Sequence, residues 1–298
     1  NTGFIISYLH KRADNMGYAN YKIHDLNAKF KFRLSDRSHL GIKMGVYDEI
    51  SNSTYIGLTQ TMYDKGDQDY VRMAPDDRLP VRRYSFSATH QYKINDAISL
   101  QTTGFAYTTT RNWQRQEFTS SAKAATRTGV VWGYPSVAGG AIYMLNANGH
   151  RNRQFQVIGI EPQLKVSNRF MDGNNTLIIG SRLLYEKADE QFLIGRKADA
   201  RGGDLRDVEE RSGTAFSSYI QNTLSLNDKW SLNAGIRLEN FDYSRRILRG
   251  RFRINNVNNV VADTNLLAQS NTFSLIPGAG ISYKASNQLT VFAGVHKG

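Results

Sequence analysis

The segment WSLNAGIRLE, from Trp230 to Glu239, alternates apolar and polar side chains without a break. Successive side chains of a β-strand point to opposite faces, so this segment has one apolar face and one polar face. Arg237 and Glu239 lie on the polar face. Burying these charges in the core of a β-sandwich would cost free energy, whereas a water-filled lumen would solvate them. The apolar face is formed by Trp230, Leu232, Ala234, Ile236 and Leu238. The pattern predicts a transmembrane strand of a β-barrel.

The same alternation recurs along the chain and predicts an all-β fold of about eleven antiparallel strands. Pro162 falls inside one of them, and because proline cannot donate a hydrogen bond to the ladder, a local bulge is expected there. The predicted strands lie at about 3–12, 21–34, 40–47, 84–94, 98–106, 158–166, 177–185, 214–226, 230–239, 275–284 and from 289 onward.

The connections between these strands alternate between long and short almost throughout. Outer-membrane barrels have short periplasmic turns and long outer loops, whereas soluble sandwiches, β-helices and propellers rarely keep that alternation. The asymmetry favours a barrel in the bacterial outer membrane over those soluble alternatives. Short turns are predicted at 14–17, 35–38, 95–97, 167–175, 227–229 and 286–288, and long polar connections at 48–80, 107–152, 186–213 and 244–271.

Composition limits the chemistry that this chain can perform. It has no apolar run long enough for a membrane helix, and without cysteine it has no thiolate chemistry. The six histidines show no metal-ligand spacing, and no GxSxG nucleophile motif occurs. We therefore expect no enzyme activity, no cofactor and no protein-held metal.

The net charge of +12 indicates an anionic neighbour or, equally, a set of solvated loop charges. The neighbour could be lipid phosphate, an acidic small ligand or nucleic acid. Nucleic acid ranks last, since no RNA- or DNA-binding motif accompanies the basic residues.

The odd strand number predicts that residues 1–298 are one part of a larger barrel. Bacterial barrels of one chain have an even number of strands, and an open sheet would leave unpaired peptide groups in lipid at several kcal/mol each. We therefore expect a partial barrel domain, with the remaining strands elsewhere.

Several longer strings resemble the barrel of TonB-dependent outer-membrane receptors, and most of all the ferric dicitrate branch. The resemblance spans essentially the whole chain. It implies a barrel of about 22 strands, an N-terminal plug domain that these residues do not include, and active uptake of an iron chelate powered through TonB. The strings are STYIGLTQTMYD (53–64), LPVRRYSFSATHQYKIND (79–96), TTTRNWQRQEF (108–118), NAGIRLENF (233–241), LIPGAGISYK (275–284) and VFAGVHKG (291–298).

Arginines near the strand ends are the candidates for contact with such a ligand. Ferric citrate complexes are anionic, and guanidinium groups bind carboxylates bidentately. An arginine at a strand end can equally pair with lipopolysaccharide phosphate or reach the interface from within the membrane. Arg237 can also pair with Glu239 inside the wall. The substrate-binding candidates are Arg82, Arg83, Arg111, Trp113, Arg115 and Arg182.

Two other functions use the same strands, and a purely structural or adhesive barrel would bind no small ligand at all. A passive porin would lack a plug, and a carbohydrate-importing receptor would contact its ligand through aromatic rings rather than arginines. Fold alone does not choose among these functions.

Overall fold

The computed structural model describes residues 2–16, 19–54, 56–67, 73–124, 127–170 and 173–297. In these ranges the chain is almost entirely β-strand. The described part contains no helix that is long and apolar enough to span a membrane. The elements are β1 Thr2–Met16, β2 Ala19–Ser35, β3 Ser38–Ser51, α1 Gln60–Lys65, β4 Leu79–Lys93, β5 Ile98–Thr119, β6 Arg127–Gly133, β7 Ala141–Phe170, β8 Gly173–Gly195, β9 Asp204–Ser225, β10 Trp230–Ile254, β11 Val257–Lys284 and β12 Thr290–His296.

All strands belong to one antiparallel sheet in which every pair is formed by strands close in sequence. The main path runs β1-β2-β3-β4-β5-β7-β8-β9-β10-β11-β12, and β6 lies off this path and pairs with β7. The sheet is not closed, and β1 and β12 form its two edges. The predicted number of strands is therefore correct for the main path, and β6 is an additional strand that the sequence did not predict.

Register gives the sheet an apolar face and a polar face. Across β1 to β7, the aligned residues Ile6, Ala28, Met44, Phe86, Ala106 and Ile158 form one row of the apolar face. On the polar face, Arg83, Thr109, Phe155, Ala188, Arg211 and Arg245 are aligned in the same way. Large apolar side chains on the first face are well exposed, with Phe4 at 69% and Phe273 at 64%. An exposed apolar surface of this extent is typical of contact with lipid.

The strands extend much further than the apolar alternation predicts. The predicted connection at 186–213 is reduced to 196–203, and the one at 244–271 to Asn255 and Asn256. Those two residues have φ of 50° and 64°, as a two-residue hairpin turn requires. Likewise β5 continues to Thr119, and β7 begins at Ala141. The predicted loops were wrong because both faces of these extensions are polar, so they lack an oily stripe.

The described residues of the connection after β3, at 52–54, 56–67 and 73–78, are packed against the sheet, and we call them segment 52–78. Its helix α1 begins after Thr59, whose hydroxyl accepts from the Met62 amide, and ends at Gly66 with φ of 67°. Met62 is fully buried in what we call the methionine cluster. That cluster consists of Ile56, Met62, Met73, Ala74, Ile142 and Met144, packed against Phe118, Trp132 and Tyr134. It joins segment 52–78 to β5, β6 and β7.

The short turns at the opposite end of the sheet use one recurring device. The side-chain oxygen of Asn95 accepts from the amides of Ala97 and Ile98. Asn227 does the same for Lys229 and Trp230, and Ser286 for Gln288 and Leu289. Such side chains replace the missing backbone partners of a tight turn. The predicted turns near 35–38, 95–97, 227–229 and 286–288 are confirmed. Of the other two, at 14–17 and 167–175, residues 17, 171 and 172 lie outside the described ranges, and the described residues belong to β1, β7 and β8.

Pro162 produces no bulge, so that prediction was wrong. Pairing with β8 resumes in unchanged register, from Ile160 with Leu183 to Gln163 with Gly180. On the other side, Pro162 remains aligned with Thr102 of β5. The missing N–H therefore interrupts one ladder locally and displaces neither strand.

Glycines on the polar face lie beneath aromatic rings of neighbouring strands. A Cβ atom on Gly180 would overlap the ring of Tyr219, so the ring can lie flat against the wall only over glycine. Four such pairs occur among the described residues, namely Gly149 with Phe192, Gly159 with Phe105, Gly180 with Tyr219 and Gly213 with Phe241.

We expect Gly180→Ala to lower the free energy of unfolding by about 1–3 kcal/mol, because the new methyl group must displace the Tyr219 ring. The measurement is a urea titration of the folded barrel in lipid vesicles. Gly104→Ala is the matched control, since no atom lies within 4 Å of its added Cβ. Equal stability of the two variants would contradict the prediction.

Candidate functional site

Five arginines lie on the polar face of β4, β5 and β7, at the end of the sheet next to segment 52–78. Register places Arg83 level with Thr109, Arg111 level with Arg153, and Trp113 level with Arg151. Because alternate residues share a face, Arg115 lies on the same side as Arg111. We call Arg83, Arg111, Arg115, Arg151 and Arg153 the arginine patch.

Aromatic rings hold most of the guanidinium groups of the patch. Two guanidinium groups contact the Trp113 ring: that of Arg111 lies 4.8 Å from the ring centroid, and that of Arg115 lies 4.6 Å from it. Arg83 lies 4.5 Å from the Tyr107 centroid and Arg151 4.5 Å from that of Phe192. Trp113 itself donates through Nε1 to the Ser53 carbonyl at 2.8 Å. Stacking occupies the flat side of a guanidinium and leaves its in-plane N–H groups for a carboxylate.

Charge compensation is uneven across this face. Arg153 pairs with Glu190 at 3.1 Å, and Glu190 in turn lies 3.7 Å from Arg211. Glu209 holds Arg211 and also Arg245, the latter at 2.5 Å. Within the described ranges, by contrast, Arg83, Arg111 and Arg151 form no ion pair. The polar face therefore carries excess positive charge at Arg83, Arg111 and Arg151, and a largely neutralised network from Arg153 across β8 and β9 to β10.

The structure brings four of the six predicted residues together. Arg83, Arg111, Trp113 and Arg115 all lie on the polar face within the patch. They lie in strands, which corrects the prediction that β5 ends before Arg111.

The other two predicted residues lie elsewhere. Arg82 is on the apolar face, where it pairs with Asp48 at 2.8 Å. Arg182 is on the polar face of β8, about 26 Å along the strand from Glu190. It stacks over Phe105 at 5.4 Å. Its Nε atom is buried without a hydrogen-bond partner in the described part of the chain.

Arg151 and Arg153 belong to the patch but were not predicted, because the predicted loop extends to 152 and the next predicted strand begins only at 158, whereas β7 begins at Ala141. A signal was present nonetheless. From Arg151 to Val157 the sequence reads RNRQFQV, in which Arg, Phe and Val alternate with Asn and Gln. This is a period-two pattern without an apolar stripe, so a search for oily faces passes over it.

A buried carboxylate fixes the edge of the patch. Asp77 is 2% exposed, and its Oδ1 accepts from the amide of Gln116, the residue that follows Arg115, at 2.7 Å. Burial raises the pKa of Asp77 to about 6, although hydrogen bonds from Gln116 and Thr54 and the charge of Arg115 act in the opposite direction. Desolvation of the charged form is thus the dominant effect.

Sequence comparison identifies the fold family. Residues 8–298 match the family described as TonB dependent receptor-like, beta-barrel. The chain belongs to this family of TonB-dependent receptor barrels. The predicted family, fold class and outer-membrane location are thereby confirmed. Among curated proteins, no sequence match was found.

Solved structures show the same fold at low sequence identity. Ferric citrate transporter FecA, in its unliganded form, has a TM-score of 0.76 at 16% identity, covering 99% of this chain and 39% of FecA. The ferric-catecholate import receptor Fiu of E. coli K12 gives 0.77 at 11%, covering 99% and 50%. The siderophore receptor PiuA of Acinetobacter baumannii gives 0.71 at 12%, covering 98% and 44%. This chain thus spans half or less of the length of these proteins.

The family assigns an environment to each face of the sheet. The apolar face contacts lipid, and the polar face lines the lumen. The end with short turns is periplasmic, so the arginine patch and segment 52–78 are at the extracellular end. The closed strand number and the plug remain predictions.

Proposed function

We propose that this barrel belongs to a receptor for active uptake of an anionic iron chelate, ferric citrate or another ferric siderophore. The observation that carries the proposal is the arginine patch at the extracellular end of the lumen, with three guanidiniums that form no ion pair in the described ranges. Carboxylates of a ferric chelate are suitable partners for such groups. Uptake against a gradient would be driven by TonB acting on the whole receptor.

The names of the structural neighbours support the same proposal. FecA is called a ferric citrate transporter, and Fiu a ferric-catecholate import receptor. These names describe receptors and transporters rather than enzymes, in agreement with the absence of catalytic motifs. Because their sequence identity to this chain is low, the ligand of this chain must be inferred from its own residues.

The two alternatives find less support in the patch. A carbohydrate-importing receptor needs open aromatic faces, but guanidiniums already stack on Trp113, Tyr107 and Phe192. A passive porin needs no cluster of cations held in fixed orientation. We accordingly rank both below chelate uptake.

A separate role is proposed for Arg82. Arg82 and Asp48 lie on the apolar face, one step along that face from Tyr84 and Val46. From there Arg82 can bind phosphate groups of lipopolysaccharide but cannot contact a ligand in the lumen.

The test is a titration of the full-length receptor with ferric citrate, followed by tryptophan fluorescence, with iron-free citrate as the control. We expect saturable quenching by the iron complex. Arg111→Ala should weaken binding roughly 10- to 100-fold, the effect of losing a charged hydrogen-bond donor.

Arg82→Ala is the matched control, since this arginine lies on the same sheet but on the opposite face. Its affinity should equal that of the wild type. Equal losses in the two variants would remove the patch from the binding site, and no response at high micromolar ligand would reject ferric citrate as the substrate.

A further inference from the structure

Asp77 stands out among the described residues as a buried acid at the edge of the arginine patch. Its Oδ1 atom accepts from the Gln116 amide, and Thr54 also contributes a side-chain hydrogen bond. Its Oδ2 atom is buried without a hydrogen-bond partner in the described ranges. An ionised carboxylate with one unsatisfied oxygen costs more free energy in such a place than a protonated one does.

The charged groups around Asp77 come from every element packed there. Arg115 of β5 acts on it as a cation, and Asp76, its neighbour in the chain, acts as an anion. Arg201, from the connection 196–203, donates to the Asp76 carbonyl at 2.9 Å and to the Gln114 side chain at 3.1 Å. The remaining charged residues that line the adjoining cleft are Arg12 and Asp14 of β1, Lys22 of β2 and Arg78.

Two of these cations already have partners of their own. Arg12 pairs with Asp14 at 2.9 Å, and Arg201 is bound to the carbonyl and amide oxygens just described. Arg115, by its place in β5, is a member of the patch and is only 9% exposed. The charge of Asp77 therefore acts on a residue of the proposed ligand site.

We infer that Asp77 is a positioning residue that couples anion binding at the arginine patch to the uptake of one proton. This inference rests on the proposed function. When Asp77 is ionised, its charge lowers the positive potential that Arg115 contributes at the patch; when it takes a proton from solvent, that potential rises. An anion bound at the patch adds negative potential and favours the protonated form. By linkage, lower pH strengthens binding by the same factor.

The free receptor should show the effect of Asp77 on local stability. Its pKa rises from an ordinary 3.8 to about 6 on folding, so its favourable contribution is complete below 3.8 and is lost as pH rises through 6. Hydrogen-exchange protection of the Gln116 amide, corrected for intrinsic rate, should fall between pH 5 and 7.5. In Asp77→Asn it should not change with pH. A flat profile in the wild type would overturn the inference without any ligand.

The deciding experiment is calorimetric titration of the full-length receptor with ferric citrate at pH 6.5, in buffers of different ionisation enthalpy. The wild type should take up more protons per ligand than Asp77→Asn, which has a neutral side chain of the same shape. Between pH 7.5 and 5.5 its affinity should rise roughly three- to tenfold more than that of the variant. Comparison of the two proteins cancels the protonation of the ligand itself.

Asp76→Asn is the matched control, because Asp76 is the exposed neighbour of Asp77. It should retain most of the proton uptake of the wild type, because Asp76 is the weakest of the charges that act on Asp77. Binding with equal proton uptake in the wild type and Asp77→Asn would overturn the inference alone. No binding by the wild type at any pH would overturn the proposed function, and the coupling with it.

Discussion

Replacing Met62 by alanine is expected to loosen segment 52–78 by about 2–5 kcal/mol while the barrel stays folded. Met62 is 0% exposed and lies in the methionine cluster, so the truncated side chain leaves a cavity that the surrounding strands cannot fill. The measurement is the rate of protease cleavage within 52–78 on intact cells. The rate should rise by orders of magnitude, because cleavage follows the open population of the segment.

Tyr63→Ala provides the control in the next position of the same helix. Tyr63 is 70% exposed, and its loss should leave the cleavage rate close to that of the wild type. If both variants are cleaved at the wild-type rate, the methionine cluster does not hold the segment. Binding of ferric citrate should weaken in Met62→Ala, because the Ser53 carbonyl that receives the Trp113 hydrogen bond belongs to the released segment.

Glu209→Gln is expected to cost about 1–3 kcal/mol of barrel stability. The carboxylate is 14% exposed and is shared by Arg211 and Arg245, so its neutralisation leaves two guanidiniums side by side without their common partner. The penalty is smaller than for a fully buried pair, since both arginines keep access to water. Urea titration in vesicles measures the loss, which should shrink as salt screens the remaining charges.

Asp263→Asn is the control for the removal of a carboxylate. Asp263 pairs with Arg249 at 2.6 Å but is 79% exposed, and an exposed pair contributes little. We expect a change within about 0.5 kcal/mol. A larger loss in Asp263→Asn than in Glu209→Gln would show that burial does not set the strength of these pairs.

The sequence predicts the membrane-spanning part of this fold well, for a physical reason. There one face meets lipid and the other water, so residues such as Leu238 and Arg237 must alternate. The main-path strands and four short turns follow directly from that pattern and from Asn95, Asn227 and Ser286.

Beyond the membrane the same method fails. Both faces of the strand extensions are in polar surroundings. Arg153, for example, alternates with the side-chain amides Asn152 and Gln154, and no apolar face results. Burial of Asp77 and Met62 arises from contacts between segments distant in sequence, which no local pattern contains. The raised pKa of Asp77 is a property of that enclosure.

The placement of Arg82, in contrast, could have been derived from the sequence. Tyr84 and Phe86 fix the apolar face of β4, and extending their alternation by one step puts Arg82 on the same side and Arg83 on the other. Both were predicted to contact the ligand because both lie where the long connection enters β4, although adjacent residues in a strand never share a face.

That arrangement of Arg82 and Arg83 limits how genes for such barrels can change in length. Loss or gain of one codon within β4 would turn every later side chain of the strand to the wrong medium, placing Arg83 in lipid and Phe86 in the lumen. A change of two codons preserves the assignment. Among natural variants, insertions and deletions inside the membrane-spanning strands should therefore occur in even numbers, and odd numbers should be confined to connections such as 196–203.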